Sequence, residues 1–131
     1  MTDFQGALQK ALFDRLSSEI TLSRVYSNVP QNTPAPLTVI GSMNISNEGA
    51  KGASLLRYEV TIYTEVAEPS RKPLDALQAQ VLAALDGWTP AATDGFTFGD
   101  FMFQSGSGEL VANAEGEPTY FGQQVFGVFV Q

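Results

Sequence analysis

The fold of this chain is decided by residues 56–66, which read LRYEVTIYTEV. Apolar and polar side chains alternate along this stretch. One face carries Leu56, Tyr58, Val60, Ile62 and Val66, and the other carries Arg57, Glu59, Thr61, Tyr63 and Glu65. A strand with one apolar and one polar face is typical of an antiparallel sheet that is covered on one side only. We therefore expect a sheet with one buried face and one face that is available to a partner.

A helix is predicted directly after this strand. Ser70 is a suitable N-terminal cap, Pro73 falls in the first turn, and Gly87 is placed to end the helix. Its apolar stripe comprises Leu74, Leu77, Val81 and Leu85. A second amphipathic helix is predicted at the start of the chain, because Phe4, Leu8, Leu12 and Leu16 recur at helical spacing.

Further strands are expected before and after this strand–helix pair. Arg24 to Tyr26 forms a short extended piece, and the chain ends in an aromatic and β-branched strand over residues 120–130. Between residues 37 and 45, the alternation places Leu37, Val39, Met43 and Ile45 on one face. Phenylalanines 96, 98, 101 and 103 change phase around Gly99-Asp100, which predicts a β-bulge there.

These elements predict the fold class. Two amphipathic helices packed on one face of a mostly antiparallel sheet of about four to five strands make a two-layer α+β domain. Residues 1–131 are expected to form a single domain. Flexible loops are predicted near 47–54 and 104–118, the second of which can include a short strand over residues 109–112.

Charge and hydropathy narrow the classes of partner. The formal net charge is −7, and such a surface lacks the basic footprint that binding to a phosphate backbone requires. We therefore expect no sequence-specific binding of nucleic acid. No apolar run approaches the length of a membrane helix, and the first residues do not resemble a signal peptide, so we expect no membrane association and residence in a cytoplasm.

Catalysis is not predicted. The chain has no histidine and no cysteine, which removes most pairs of nucleophile and base. Carboxylate pairs remain, either Asp94 with Asp100 or Glu109 with Glu115 and Glu117, but they lie in stretches rich in glycine, where such residues are normally solvated. The acidic residues lack the spacing of a calcium loop, and no phosphate-binding loop is present. We expect no cofactor and no metal.

The order of elements resembles the phage tail-completion family, to which tail terminators belong. The resemblance begins with the leading helix and continues with residues 24–31, RVYSNVPQ, followed by the proline-broken entry PAPLTVI at 34–40. It includes the alternating strand 56–66 and the helix that ends in ALDG at 84–87. These features span residues 4–88, whereas the aromatic stretch 96–103 departs from the pattern.

This resemblance implies a structural, non-enzymatic virion protein. Members form a ring, expected to be a hexamer, at the head-proximal end of the tail tube, where they end tube growth and join the tail to the head. The implied partners are further copies of the chain, a tail tube protein and a head–tail connector protein, with DNA passing through the lumen. The implied location is the virion tail of a phage or gene-transfer agent, and the host cytoplasm during assembly.

Several residues are candidates for the subunit or tube interface. They come from the proline-containing motif, the loop after residue 46 and the aromatic stretch: Arg24, Tyr26, Pro30, Gln31, Asn47, Glu48, Lys51, Phe101 and Phe103. The aromatic side chains have a second interpretation as core residues. Two other classes of function stay open: another head–tail connector or tail tube subunit, and a small ligand-binding domain with a pocket between helices and sheet.

Overall fold

A computed structural model describes residues 4–27, 33–47, 55–92, 95–112 and 118–131 of the chain. It contains two helices and five strands. In chain order these are α1 Phe4–Glu19, β1 Arg24–Tyr26, β2 Leu37–Asn47, β3 Leu56–Val66, α2 Lys72–Leu85, β4 Met102–Ala112 and β5 Pro118–Val130. The strands form one sheet in the order β1-β2-β3-β5-β4. Only β1 and β2 pair in parallel, so the predicted α+β class with a mostly antiparallel sheet is confirmed.

One face of the sheet and the two helices enclose the hydrophobic core. Leu8, Leu12 and Leu16 of α1 are buried at the spacing that the sequence predicts. The stripe Leu74, Leu77, Val81 and Leu85 of α2 is buried as well. They pack with the helix-facing side chains of β3 and β5, which include Tyr58, Val60, Ile62, Phe126 and Val128. Burying these apolar faces drives the two-layer arrangement.

Strand β2 differs from its predicted alternation. Ile40 lies opposite Ile62 and Met43 opposite Val60, with a register shift between the two pairs. Two β2 residues, Gly41 and Ser42, therefore stand against a single β3 residue, which is a β-bulge. The bulge puts Ile40 on the helix side with Met43. The prediction that Leu37 and Val39 share the face of Met43 and Ile45 is wrong.

The second half of the chain also differs from prediction. Residues 104–108 belong to β4, so the predicted loop is wrong over this stretch, whereas the short strand expected over 109–112 is confirmed as the end of β4. The bulge expected at Gly99-Asp100 is wrong as well, because the register shift lies between Phe103 and Ser105. Pairing with β5 along its length holds the Gly/Ser-rich segment of β4 extended. Residues 48–54 of the other predicted loop lie outside the described ranges.

Candidate assembly surfaces

The sheet has two unequal outer edges. On one side the outermost strand is β1, which has only the residues Arg24–Tyr26. On the other side it is β4, which runs from Met102 to Ala112. Within the described ranges, no strand pairs with the outer side of either edge. An unpaired edge strand offers backbone donors and acceptors to another chain, so each edge is a candidate assembly surface.

The β1 edge holds two of the predicted interface residues. Arg24 is exposed and Tyr26 is half-buried. Both line a groove of about 570 Å³ whose walls also include Leu22, Pro34 and Pro36. The structure thus places the Arg-Val-Tyr segment and the proline-rich entry to β2 on one surface. Pro30 and Gln31 lie outside the described ranges, so their predicted roles stay predictions.

An apolar groove continues from this edge to the start of α2. It has a volume of about 240 Å³ and shares Leu22 and Pro36 with the first groove. Its complete lining is Leu22, Ala35, Pro36, Val66, Ala67, Glu68, Pro73, Ala76 and Leu77. Glu68 is the ionisable member of this set. A pocket that recognises a small ligand usually has several polar groups directed at it, so this lining suits an apolar side chain better.

The prediction for Phe101 as an interface residue is wrong. Its side chain is 0% exposed. The ring stacks on Trp88 at a centroid distance of 5.2 Å, and Phe101 N–H donates to the Trp88 carbonyl at 2.7 Å. Trp88 itself lies below the side chain of Arg15, whose guanidinium carbon is 5.7 Å from the ring centroid. Phe101 therefore belongs to the core beneath the end of α2.

Phe103 has the opposite environment. It is 41% exposed, and its ring meets Phe126 edge-on at a centroid distance of 5.7 Å. Its backbone N–H donates to the Asp86 carboxylate at 3.0 Å. It remains an interface candidate. Asn47, at the end of β2, is exposed too, whereas Glu48 and Lys51 lie outside the described ranges.

Three exposed apolar residues on β4 were not among the predicted interface residues. Met102 is 47% exposed, Leu110 is 60% and Val111 is 46%. Met102 lies in the aromatic stretch, where the predicted candidates are Phe101 and Phe103, and Leu110 and Val111 lie in the short strand that is allowed within the predicted loop. One feature of the sequence does indicate an apolar strand here. Leu110 and Val111 are adjacent apolar residues, they favour β-structure, and they stand between two glycine-containing stretches.

The sheet face opposite the helices is open within the described residues. Tyr63 and Phe121 stack on it with a centroid distance of 5.6 Å. Arg57 and Glu59 form an ion pair there, with 3.2 Å between guanidinium nitrogen and carboxylate oxygen. Half-buried apolar rings beside charged residues match the composition of an interface that forms after folding.

Two of the five carboxylates considered for catalysis, Asp100 and Glu109, lie within the described ranges. Asp100 accepts a hydrogen bond from the Thr89 hydroxyl, and Glu109 is exposed on β4. Asp94, Glu115 and Glu117 lie outside the described ranges. Over the part of the chain that the structure describes, no group of three potential metal ligands occurs. No helix in the same ranges is long and apolar enough to cross a membrane.

Comparison with known proteins connects this fold to phage tails. The family model described as "Tail completion protein gp17" matches residues 7–109. Among solved structures, a chain of the "Virion of native gene transfer agent (GTA) particle" superposes with a TM-score of 0.82 at 18% sequence identity. That match covers 99% of this chain and 98% of the other. No curated protein matches the sequence. At this identity the structural match establishes the shared fold, and the family match carries the identification.

Proposed function

The chain belongs to the tail completion protein gp17 family, and on this premise we propose that it forms a ring that closes the head-proximal end of a phage tail tube. Family membership makes it a structural protein of the phage tail. In the proposed role it ends tube growth and then joins the tail to the head, without catalysing a reaction. The family match over residues 7–109 is the observation that carries the proposal.

The two unequal sheet edges support a ring. A closed ring needs a heterologous interface, in which one surface of a subunit meets a different surface of the next. The β1 edge is short and concave, whereas the β4 edge is long and carries exposed apolar side chains. Surfaces of different shape on opposite sides of one subunit suit head-to-tail contact better than a two-fold dimer.

The acidic character supports passage of DNA through the lumen. A net charge of −7 per subunit repels the phosphate backbone, so DNA can slide past without being retained. We propose the tail tube protein and the head–tail connector protein as the partners on the two sides of the ring.

A tube-capping assay tests this proposal. Tail tube subunits are polymerised with and without the purified chain, and tube lengths and ends are measured by negative-stain electron microscopy. We expect shorter tubes with a ring at one end, and isolated heads should then join these tubes. A chain lacking residues 118–131, and hence the internal strand β5, serves as the inactive control. Incorporation along the whole tube would indicate a tube subunit, and binding to heads alone would indicate a connector.

A further inference from the structure

A single row of paired residues crosses the whole sheet and ends in opposite charges. Arg24 of β1 pairs with Leu37, Leu37 with Glu65, Glu65 with Phe121, and Phe121 with Glu109 of β4. Paired residues lie side by side on the same face of a sheet. Arg24 and Glu109 therefore stand on the open face at opposite edges, separated by four strand spacings, or roughly 19 Å.

Within the described ranges, neither terminal charge has an ion-pair partner. Arg24 and Glu109 are exposed, and neither takes part in any of the ion pairs among the described residues. The other described basic residues of the sheet and α1, namely Arg57, Lys10 and Arg15, each have a carboxylate partner. Arg24 is therefore an edge cation with no carboxylate partner among the described residues.

The neighbouring row of paired residues has an exposed apolar side chain at the β4 edge and an apolar groove near the β1 edge. Leu110 pairs with Tyr120, and Tyr120 pairs with Val66 on the helix side of the sheet. Val66 lines the 240 Å³ groove together with Leu22 and Pro36. Leu110 is 60% exposed at the β4 edge, and Leu22 is 48% exposed on the side of β1. Two neighbouring rows thus have complementary ends.

The strand directions allow the two edges to meet. β1 is parallel to β2, and each following neighbour across the sheet is antiparallel, so β1 and β4 run in opposite directions. Moving a second copy sideways along the sheet, and turning it about an axis parallel to the strands as a closed ring requires, places its β4 antiparallel to the first copy's β1. In that position Glu109 lies opposite Arg24, and Leu110 lies at the groove. α2 already uses part of the β4 edge, since Arg71 donates to the Gly108 carbonyl at 3.0 Å and Gln78 to the Ser107 carbonyl at 2.8 Å. With only three residues in β1, the backbone ladder between the two copies is short, and side chains supply most of the contact.

We propose that the occupant of the β1 edge is the β4 edge of a second copy of this chain, with Glu109 against Arg24 and Leu110 in the groove beside Leu22. This contact deepens the proposed ring and rests on it. The contact is heterologous, because each copy contributes a different edge, and it leaves both edges of every subunit occupied when the ring closes. Opposite charges fix the register, and the apolar contact supplies the buried surface.

Cysteine cross-linking tests the contact directly, because the chain has no cysteine of its own. Arg24→Cys and Glu109→Cys chains are mixed, oxidised mildly and analysed by mass spectrometry of the linked peptides. Antiparallel neighbours bring Cα atoms to about 4.5–5.5 Å, which is within disulfide range. We expect a linked dimer of the two different chains, enriched about tenfold or more over the control pair because the proposed contact raises the effective concentration. The control pair is Ser17→Cys with Ala79→Cys, two exposed helix positions outside the proposed contact.

Charge reversal provides a second, independent measurement. Arg24→Glu and Glu109→Arg should each weaken self-association, measured by sedimentation with tail tubes present, by up to about fivefold per contact. The chain that carries both reversals should recover, because the pair is restored with opposite polarity. Thermal unfolding of each variant checks that the monomers are folded.

The outcomes of these experiments distinguish failure of the proposed contact from failure of the proposed ring. If the wild-type chain caps tubes while the 24–109 link and the charge rescue are both absent, the contact is wrong and the ring stands. A link from Arg24→Cys to a tube protein instead of to Glu109→Cys would assign this edge to the tube and overturn the contact. A wild-type chain that neither self-associates nor caps tubes would overturn both.

Discussion

Phe101 and Phe103 are two positions apart, yet one side chain is buried and the other is exposed. Phe101 is enclosed between Trp88 and the core, and Phe103 has 41% of its surface exposed. Phe101→Ala should lower the free energy of unfolding by about 3–5 kcal/mol, because it removes a fully buried ring and leaves a cavity. Phe103→Ala should cost no more than about 1.5 kcal/mol, since it removes mainly one edge-on ring contact.

Denaturant unfolding of the two variants measures this difference. Equal losses would contradict the assignment of Phe101 to the core and Phe103 to the surface. Tube capping by the Phe103→Ala chain, compared with the wild type, would then show whether the exposed ring also serves assembly.

Arg15 of α1 joins the two helices through one hydrogen bond, in which its Nε donates to the Ala84 carbonyl of α2 at 2.9 Å. Its guanidinium also lies over Trp88, which follows α2, and its ion pair with Glu19 at 3.1 Å is within α1. Arg15→Ala should reduce stability by about 2 kcal/mol, because it breaks a charged hydrogen bond to the end of α2. The matched control is Lys10→Ala, on the same helix, where the ion pair with Asp14 is 79% and 60% exposed at its two ends. That control should change stability by less than about 0.5 kcal/mol.

Thermal unfolding of both variants distinguishes a helix-joining role from a surface role. A loss for Arg15→Ala no greater than that for Lys10→Ala would show that the Ala84 contact contributes nothing to docking of α1.

At the level of elements, the bulge in β2 predicts that the sheet tolerates deletion of one residue in β2 but not in β3. Ser42 is the exposed extra residue against β3, so its removal leaves Ile40 and Met43 facing the helices. We expect a folded protein with a straighter β2. Removing Thr61 from β3 instead would put Val60 and Ile62 on opposite faces, which moves half of that strand's apolar set into solvent.

Circular dichroism and heteronuclear NMR spectra of the two deletions provide the measurement. The Ser42 deletion should retain a dispersed spectrum and a cooperative thermal transition, whereas the Thr61 deletion should lose both. If both deletions unfold the chain to the same extent, the extra residue in β2 is required for the sheet, and the explanation offered for the bulge fails.

The elements differ in how far the sequence could predict them. β3 and α2 were predictable because their apolar side chains recur with a clear period and alone determine which face is buried. The β2 bulge was not predictable, because Gly41-Ser42 is compatible with a regular strand. β4 resembles a loop in composition, and it becomes a strand only through pairing with β5, which is a tertiary effect. Of the candidate surface, Arg24 and Tyr26 followed from the motif, while Leu110 and Val111 required the sheet order.

In the whole molecule, the last strand in sequence lies inside the sheet. β5 pairs with β3 on one side and with β4 on the other, so β4 has no attachment to the sheet without it. A chain that ends at residue 117 should therefore fail to fold, although it retains every residue of the family match. Far-UV circular dichroism and proteolysis would measure this. Restored protection after a peptide of residues 118–131 is added would confirm that β5 is the missing part, whereas a stable truncated chain would contradict the central role of β5.

The net charge makes the strength of self-association depend on the salt concentration. Each subunit brings a charge of −7 to an assembly, so association works against long-range repulsion. The Debye length falls from about 30 Å at 0.01 M salt to about 10 Å at 0.1 M. That change screens repulsion between whole subunits, whereas a charge pair in contact, such as Glu109 with Arg24, is screened less. We therefore expect self-association on tail tubes to strengthen as salt rises over this range, measured by sedimentation at a fixed protein concentration. The doubly reversed chain, which keeps the same net charge, should show the same slope. A wild-type affinity that falls steadily with salt would mean that local charge pairs, rather than the net charge, dominate the energy of assembly.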